Sequence, residues 1–135
     1  MFGMMRSPAD SYAKVGVEVA VETADPHQLI LILFDGALAA IALARIQMEN
    51  GQIPEKGASI SKAINLITNG LKASLNMESG GELSARLAVL YDYMAQRLIA
   101  ANLKNSVAAL DEVRDLLQGL REAWAEVPKN LQQAA

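Results

Sequence analysis

The sequence predicts an all-α protein, an antiparallel up-down four-helix bundle that carries an extended N-terminal strap. Three observations support that prediction. The chain of 135 residues is 52% hydrophobic but only 4% aromatic, and much of its apolar content is Ala and Leu, which favour helix over strand. Four stretches repeat apolar residues at alternating steps of three and four, the period of one helix face. Short connections join these stretches, so sequential helices become antiparallel neighbours. One domain is expected over 1–135, with an arm and strap at 1–24 and helices at 25–49, 55–75, 82–102 and 106–126. That length suffices to bury a core.

The arm, residues 1–11, is expected to be mobile. From Tyr12 to Thr23, Val15, Val17, Val19 and Val21 alternate with other residues. Period-two β-branched residues suggest an extended segment, and with no sheet partner elsewhere it reads as a strap laid along the bundle. A helical reading through Tyr12, Val15 and Val19 is the alternative.

The first helix opens on Asp25-Pro26, a cap followed by a residue that fits the first helical position. Ile30, Phe34, Ala37, Ile41, Ala44 and Met48 form its seam. Leu29, Leu33, Ala40 and Leu43 form a second stripe beside it, and Leu31 and Leu38 widen that further. Between Leu29 and Ala44 the only charge is Asp35. A helix this apolar all round is either central to a core or keeps a face for a partner. Asn50-Gly51 ends it.

The second pattern runs through Ile60, Ile64, Ile67, Leu71 and Leu75, with Lys56, Lys62 and Lys72 expected on the wet side. Ser79-Gly80-Gly81 breaks the chain. The third carries Leu83, Leu87, Leu90, Met94, Leu98 and Ala101, and the fourth Leu110, Val113, Leu117, Leu120 and Trp124. Pro128 follows soon after.

Composition narrows the function. Net charge is −3 with both signs interspersed, so there is no basic footprint and no nucleic-acid partner is expected. The chain has no cysteine, which removes disulfides and thiolate metal sites and fits a reducing compartment. The apolar run after Pro26 is short for a bilayer and interrupted by Asp35, so no stable membrane insertion is expected. Met1 to Arg6 shows no secretory signal, and the expected location is cytoplasmic.

No constellation of catalytic residues emerges. His27 is the single histidine and sits in a first turn, whereas a phosphotransfer bundle needs one exposed in mid-helix. A triad or histidine metal site lacks its other members. The carboxylates Asp92, Asp111, Glu112, Asp115, Glu122 and Glu126 are scattered, and the Glu-x-x-His pairs of a di-metal bundle are missing. Asp111 and Glu112 stand near a helix start, where the dipole favours negative charge. Gly80-Gly81 has no phosphate-loop spacing and reads as a turn. No enzyme activity and no cofactor are expected. What remains is more apolar surface than so small a bundle can enclose, matched by helix-in-groove recognition of an amphipathic partner segment.

Several of these stretches together resemble the flagellar secretion chaperones of FliS type. The most specific are Thr23-Ala24-Asp25-Pro26-His27-Gln28-Leu29-Ile30 with Leu33-Phe34-Asp35-Gly36-Ala37, and Lys62-Ala63-Ile64-Asn65. Gly70-Leu71, Gly80-Gly81-Glu82 and Leu90-Tyr91-Asp92-Tyr93-Met94 follow. Ala101-Asn102-Leu103-Lys104-Asn105, Glu112-Val113 and Glu122-Ala123-Trp124 complete the match. The resemblance spans Tyr12 to about Trp124; Phe34 stands where many members have Tyr, and the arm before Tyr12 matches poorly.

The resemblance implies a cytoplasmic export chaperone. Such proteins hold the disordered C-terminal segment of flagellin, which becomes partly helical on the bundle, prevent premature polymerisation, and present the complex to the cytoplasmic domain of the export gate. It also implies that the segment of Tyr12 and Val15 covers the client groove in the free protein. Leu29, Ile30, Leu33 and Phe34 of the first helix, with Ile64, Ile67 and Leu71 of the second, are expected to form that groove. Tyr91 is expected to pack, and Asp92 to stay wet or pair with an arginine. The competing reading is a structural or adaptor bundle that self-associates through the same apolar surface, with a weak homodimer as its simplest form.

Overall fold

Asp25 starts the first helix as a cap should. Its carboxylate accepts the Gln28 N–H at 2.8 Å, its backbone is extended, and Pro26 occupies the first turn. The computed structural model describes residues 25–127; the predicted strap, with Tyr12 and Val15, lies outside them. Four helices follow: α1 Pro26–Glu49, α2 Ile53–Asn65, α3 Gly81–Lys104 and α4 Val107–Glu126. A π-helical stretch, Leu66–Leu71, and a 3-10 turn, Lys72–Ser74, prolong α2. No strand occurs among the described residues. α1 packs chiefly against α2 and α4, and α3 against the same two, which is the square cross-section of an up-down bundle.

The core follows the seam periodicity. Phe34, Ala37, Ile41, Ala44 and Met48 of α1 are buried, facing Ile60, Ala63, Ile67 and Leu71 of α2 and its extension. Tyr91, Met94, Leu98 and Ala101 of α3 and Leu110, Val113 and Leu117 of α4 close it. By length and composition alone α1 could cross a bilayer. Here Ala37 and Ala44 have no exposure, and Asp35 accepts two hydrogen bonds from the Arg121 guanidinium of α4, at 2.9 and 3.3 Å. One face of α1 is therefore core, while Leu43 and Ile46 on its other side are about half exposed.

Two local features differ from the periodic pattern. The second helix does not stay α to Leu75: the π-helical turns begin at Leu66, where α1 comes close. A Cβ on Gly70 would stand 3.0 Å from Leu33 Cδ2, so the glycine admits that approach. Only the step of four from Ile67 to Leu71 falls within the π-helical stretch, and a step of four fits either helix type, so the spacing hides the change. Lys56, expected on the wet side, is 3% exposed. Its ammonium donates to the Asn102 carbonyl at 2.9 Å and to Asn105 Oδ1 at 2.7 Å, where α3 ends on a left-handed Asn105 at φ 52°. A cation at a helix C-terminus satisfies carbonyls left without intrahelical partners.

An apolar cleft at one end of the bundle

The antiparallel topology brings four helix ends to one level. These are the start of α1, the end of the α2 extension, the start of α3 and the last turn of α4. Between them lies a cleft of about 850 Å³. Phe34, Leu71 and Tyr91, each under 5% exposed, form its floor. Ile30, Leu75, Leu87, Leu120 and Trp124, partly buried, form its walls. Leu29 also lines it, as does Leu83, which is 55% exposed. α2 cannot roof the cleft, because its last turn ends at Leu75 in extended backbone.

The polar groups at the rim are engaged in holding the helix ends. Asp25 caps α1. Ser74 donates to the Gly70 carbonyl at 2.6 Å, and Asn76 Oδ1 accepts the Ser79 N–H at 3.0 Å. The single histidine and single tryptophan make a reciprocal tie between α1 and α4. Trp124 Nε1 donates to the His27 carbonyl at 3.1 Å, and His27 Nε2 lies 3.2 Å from the Trp124 carbonyl. Their rings are 5.8 Å apart, tilted by 37°. Burial pushes the Tyr91 phenol up to about 12, so the cleft floor is uncharged at neutral pH.

Apart from Asp25 at the rim, the ion pairs lie outside the cleft and tie neighbouring helices. Asp92 stays exposed, as expected, and pairs at 2.8 Å with Lys72 rather than with an arginine. Glu112 accepts hydrogen bonds from the Tyr93 hydroxyl and from Arg97, the latter at 2.7 Å. Both hold its carboxyl below the usual range, the tyrosine more strongly. Asp111 pairs with Arg45 at 3.0 Å and with Arg114 at 3.3 Å. Among the described residues no group of three or more His, Asp or Glu could hold a metal ion. The arrangement is suited to burying apolar side chains of a guest.

Of the expected groove residues, Leu29, Ile30, Phe34 and Leu71 line this cleft. Leu33 turns aside against Gly70. Ile64 packs partly buried on the core, and Ile67 is wholly enclosed in it. Sequence reasoning left out the α3 and α4 walls, Leu83, Leu87, Leu120 and Trp124. Topology was the available signal: once the helices alternate in direction, apolar residues at those four ends share one level.

The family described as "Flagellar protein FliS" matches residues 8–131. The chain is 52% identical over 117 residues to "Flagellar secretion chaperone FliS" of Salmonella typhimurium, covering 87% of each chain. It is 47% identical over 116 residues to the protein of that name in Escherichia coli, covering 86% of this chain and 85% of that one. The Bacillus subtilis protein of the same name is 39% identical over 107 residues, with 79% and 78% covered. A helical bundle with an open apolar cleft, matched along nearly its whole length, therefore belongs to the FliS family of flagellar secretion chaperones.

Proposed function

We propose that this protein is a flagellin-specific export chaperone of the cytoplasm. It holds the C-terminal segment of flagellin, keeps it from polymerising, and delivers it to the cytoplasmic domain of the flagellar export gate. The observation that carries this reading is the apolar cleft whose rim groups are already engaged in helix ties, leaving burial as its chemistry. A segment that folds on such a surface buries roughly 1,000–3,000 Å² while giving up a few kcal/mol to ordering, which suits a carrier that must release its load. The client contacts are Leu29, Ile30 and Phe34 of α1, with Leu71 of the α2 extension. Leu33, Ile64 and Ile67 support these from behind. Tyr12 and Val15 act as a lid that the client displaces; both Asp25, where residues 1–24 join the bundle, and Val127 line the cleft. No cofactor, nucleotide or catalytic step is required.

Calorimetry and far-UV circular dichroism with the C-terminal segment of the organism's own flagellin test this. One-to-one binding with a negative heat-capacity change and new helix is the expected result. No binding at high micromolar concentration would reject flagellin as the client. Tyr12→Ala is expected to change client affinity and export; if both stay as in the parent, the lid is wrong.

A further inference from the structure

Two asparagine–glycine steps occur in the chain, Asn50-Gly51 and Asn69-Gly70, and the fold treats them differently. This residue pair carries a latent reaction. The backbone nitrogen of the glycine can attack the side-chain carbonyl carbon of the asparagine, because the ring that closes has five members and glycine has no Cβ to crowd the nitrogen. Closure requires the peptide between the two residues to turn until that nitrogen faces the side chain. At Asn69-Gly70 the turn is blocked. Both residues lie in the π-helical stretch, Asn69 Nδ2 donates to Asn65 Oδ1 at 2.6 Å, and a Cβ on Gly70 would stand 3.0 Å from Leu33. At Asn50-Gly51 it is open. Helix α1 ends at Glu49, and Asn50, Gly51 and Gln52 are all exposed. Gly51, at φ 71°, has nothing within 4 Å of its would-be Cβ. Its N–H donates to the Met48 carbonyl at 3.2 Å, the long limit of the range. Among the described residues the Asn50 side-chain amide has no hydrogen-bond partner.

We propose that Asn50 is a site of spontaneous deamidation, selected by the fold over Asn69. The Gly51 nitrogen gives its proton to hydroxide and bonds to Asn50 Cγ. The bond from Cγ to the side-chain nitrogen breaks, and that nitrogen takes a proton from water and leaves as ammonia. Water then opens the cyclic imide at either carbonyl. Opening at Cγ gives an aspartyl residue; opening at the main-chain carbonyl gives an isoaspartyl linkage, in which the backbone runs through Cβ and Cγ. The sum is one water consumed, one ammonium released and one carboxylate formed, with no oxidant or reductant. Both products set a new carboxylate beside Glu49 at the α1 C-terminus, where the helix dipole disfavours negative charge. Arg45, the base nearest in sequence, already pairs with Glu49 at 3.2 Å and Asp111 at 3.0 Å. The isoaspartyl linkage also lengthens a connection fixed by the Gln52 N–H on the Gln47 carbonyl at 2.8 Å. The reaction therefore loosens the α1–α2 junction as the chain ages, and it creates the group on which an isoaspartyl carboxyl methyltransferase acts. α1 has 24 residues, about 36 Å of helix, so the site lies a helix length from the cleft and the inference is independent of the client.

Incubation of the full chain at mildly alkaline pH, followed by tryptic mapping, reads the reaction. Residues 46–56 and 63–72 carry Asn50 and Asn69 on separate peptides. Each deamidation adds about 1 Da, and methyl transfer from S-adenosylmethionine by an isoaspartyl methyltransferase marks the isoaspartyl product. In the folded chain the 46–56 peptide should gain this mass about tenfold or more faster than the 63–72 peptide. In urea the two rates should converge, because the fold no longer holds Asn69. Asn50→Gln keeps an exposed amide but would have to close a six-membered ring, so it should abolish methyl labelling of 46–56. Absence of isoaspartyl product at residue 50 overturns the site. Equal rates at Asn50 and Asn69 in the folded chain overturn its selection by the fold. The aged parent should melt a few degrees below the fresh protein, while aged Asn50→Gln keeps its midpoint. An unchanged midpoint in fully modified parent overturns the loosening of the junction. Failure of the flagellin reading would leave every one of these readouts as it is.

Discussion

Gly80 and Gly119 should respond in opposite directions to the same added methyl group. A Cβ on Gly80 would stand 1.8 Å from Ser84 Oγ and 2.5 Å from the Asn76 carbonyl oxygen. Ser84 has no exposure, so its hydroxyl cannot swing out to make room. Gly80→Ala is expected to cost about 2–3 kcal/mol, read as a lower midpoint in urea. Gly119 lies inside α4 with nothing within 4 Å of its would-be Cβ. There the substitution restricts the unfolded chain and adds a better helix former, so Gly119→Ala should raise stability by about 0.5–1 kcal/mol. Tyr91 gives a pH signature. Its folded pKa, pushed up to about 12 by burial, exceeds the unfolded value of about 10. The buried neutral phenol thus contributes stability that is fully present below pH ~10 and is lost as pH rises toward 12. Tyr91→Phe should flatten the alkaline limb of a thermal-midpoint profile and leave neutral pH little changed.

At the scale of elements, α3 and α4 are joined at Glu112, and the sign of its pH effect is the reverse. Hydrogen bonds from Tyr93 and Arg97 hold the carboxyl below its ordinary range. The folded state therefore binds fewer protons than the unfolded one at mildly acid pH. The tie contributes above the unfolded carboxylate pKa and is lost as pH falls through the lower folded value. In Glu112→Gln the thermal midpoint should fall less steeply with acid than in the parent. The same helices show what the sequence could reveal. Apolar steps of three and four predict one buried face per helix, and Phe34, Ile41, Leu98 and Leu117 lie there. The cap at Asp25 was equally legible, because a carboxylate before Pro can do little else so economically. The π-helical turns at Leu66–Leu71 were not legible, since they depend on how closely Leu33 reaches Gly70 across helices. Lys56 was misplaced for a related reason: its partners, Asn102 and Asn105, lie far along the chain and come together only when α2 meets the end of α3.

For the whole molecule, one consequence of the bundle topology is that most of the packed core lies away from the apolar cleft, the two sharing Phe34, Leu71 and Tyr91. The deep seam of Ile41, Ile60, Leu98 and Leu110 has almost no exposure and holds the four helices together. The cleft lies at one end, walled by side chains such as Ile30, Leu87 and Leu120 that are only partly buried. Half of this site was visible in sequence as the over-apolar start of α1. The other half belongs to α3 and α4, and only folding puts them at the same level. A polar replacement in that second half is the sharper test, because none of its side chains was among the expected groove residues. Leu87→Gln removes one wall side chain that would become fully buried beneath a guest, a loss of about 1.5–3 kcal/mol of burial. Binding of the flagellin C-terminal segment should weaken about tenfold or more, while the thermal midpoint of the free protein falls by only a few degrees. Were the midpoint to collapse with affinity intact, Leu87 would belong to the core. The guest would then have to lie elsewhere on the bundle.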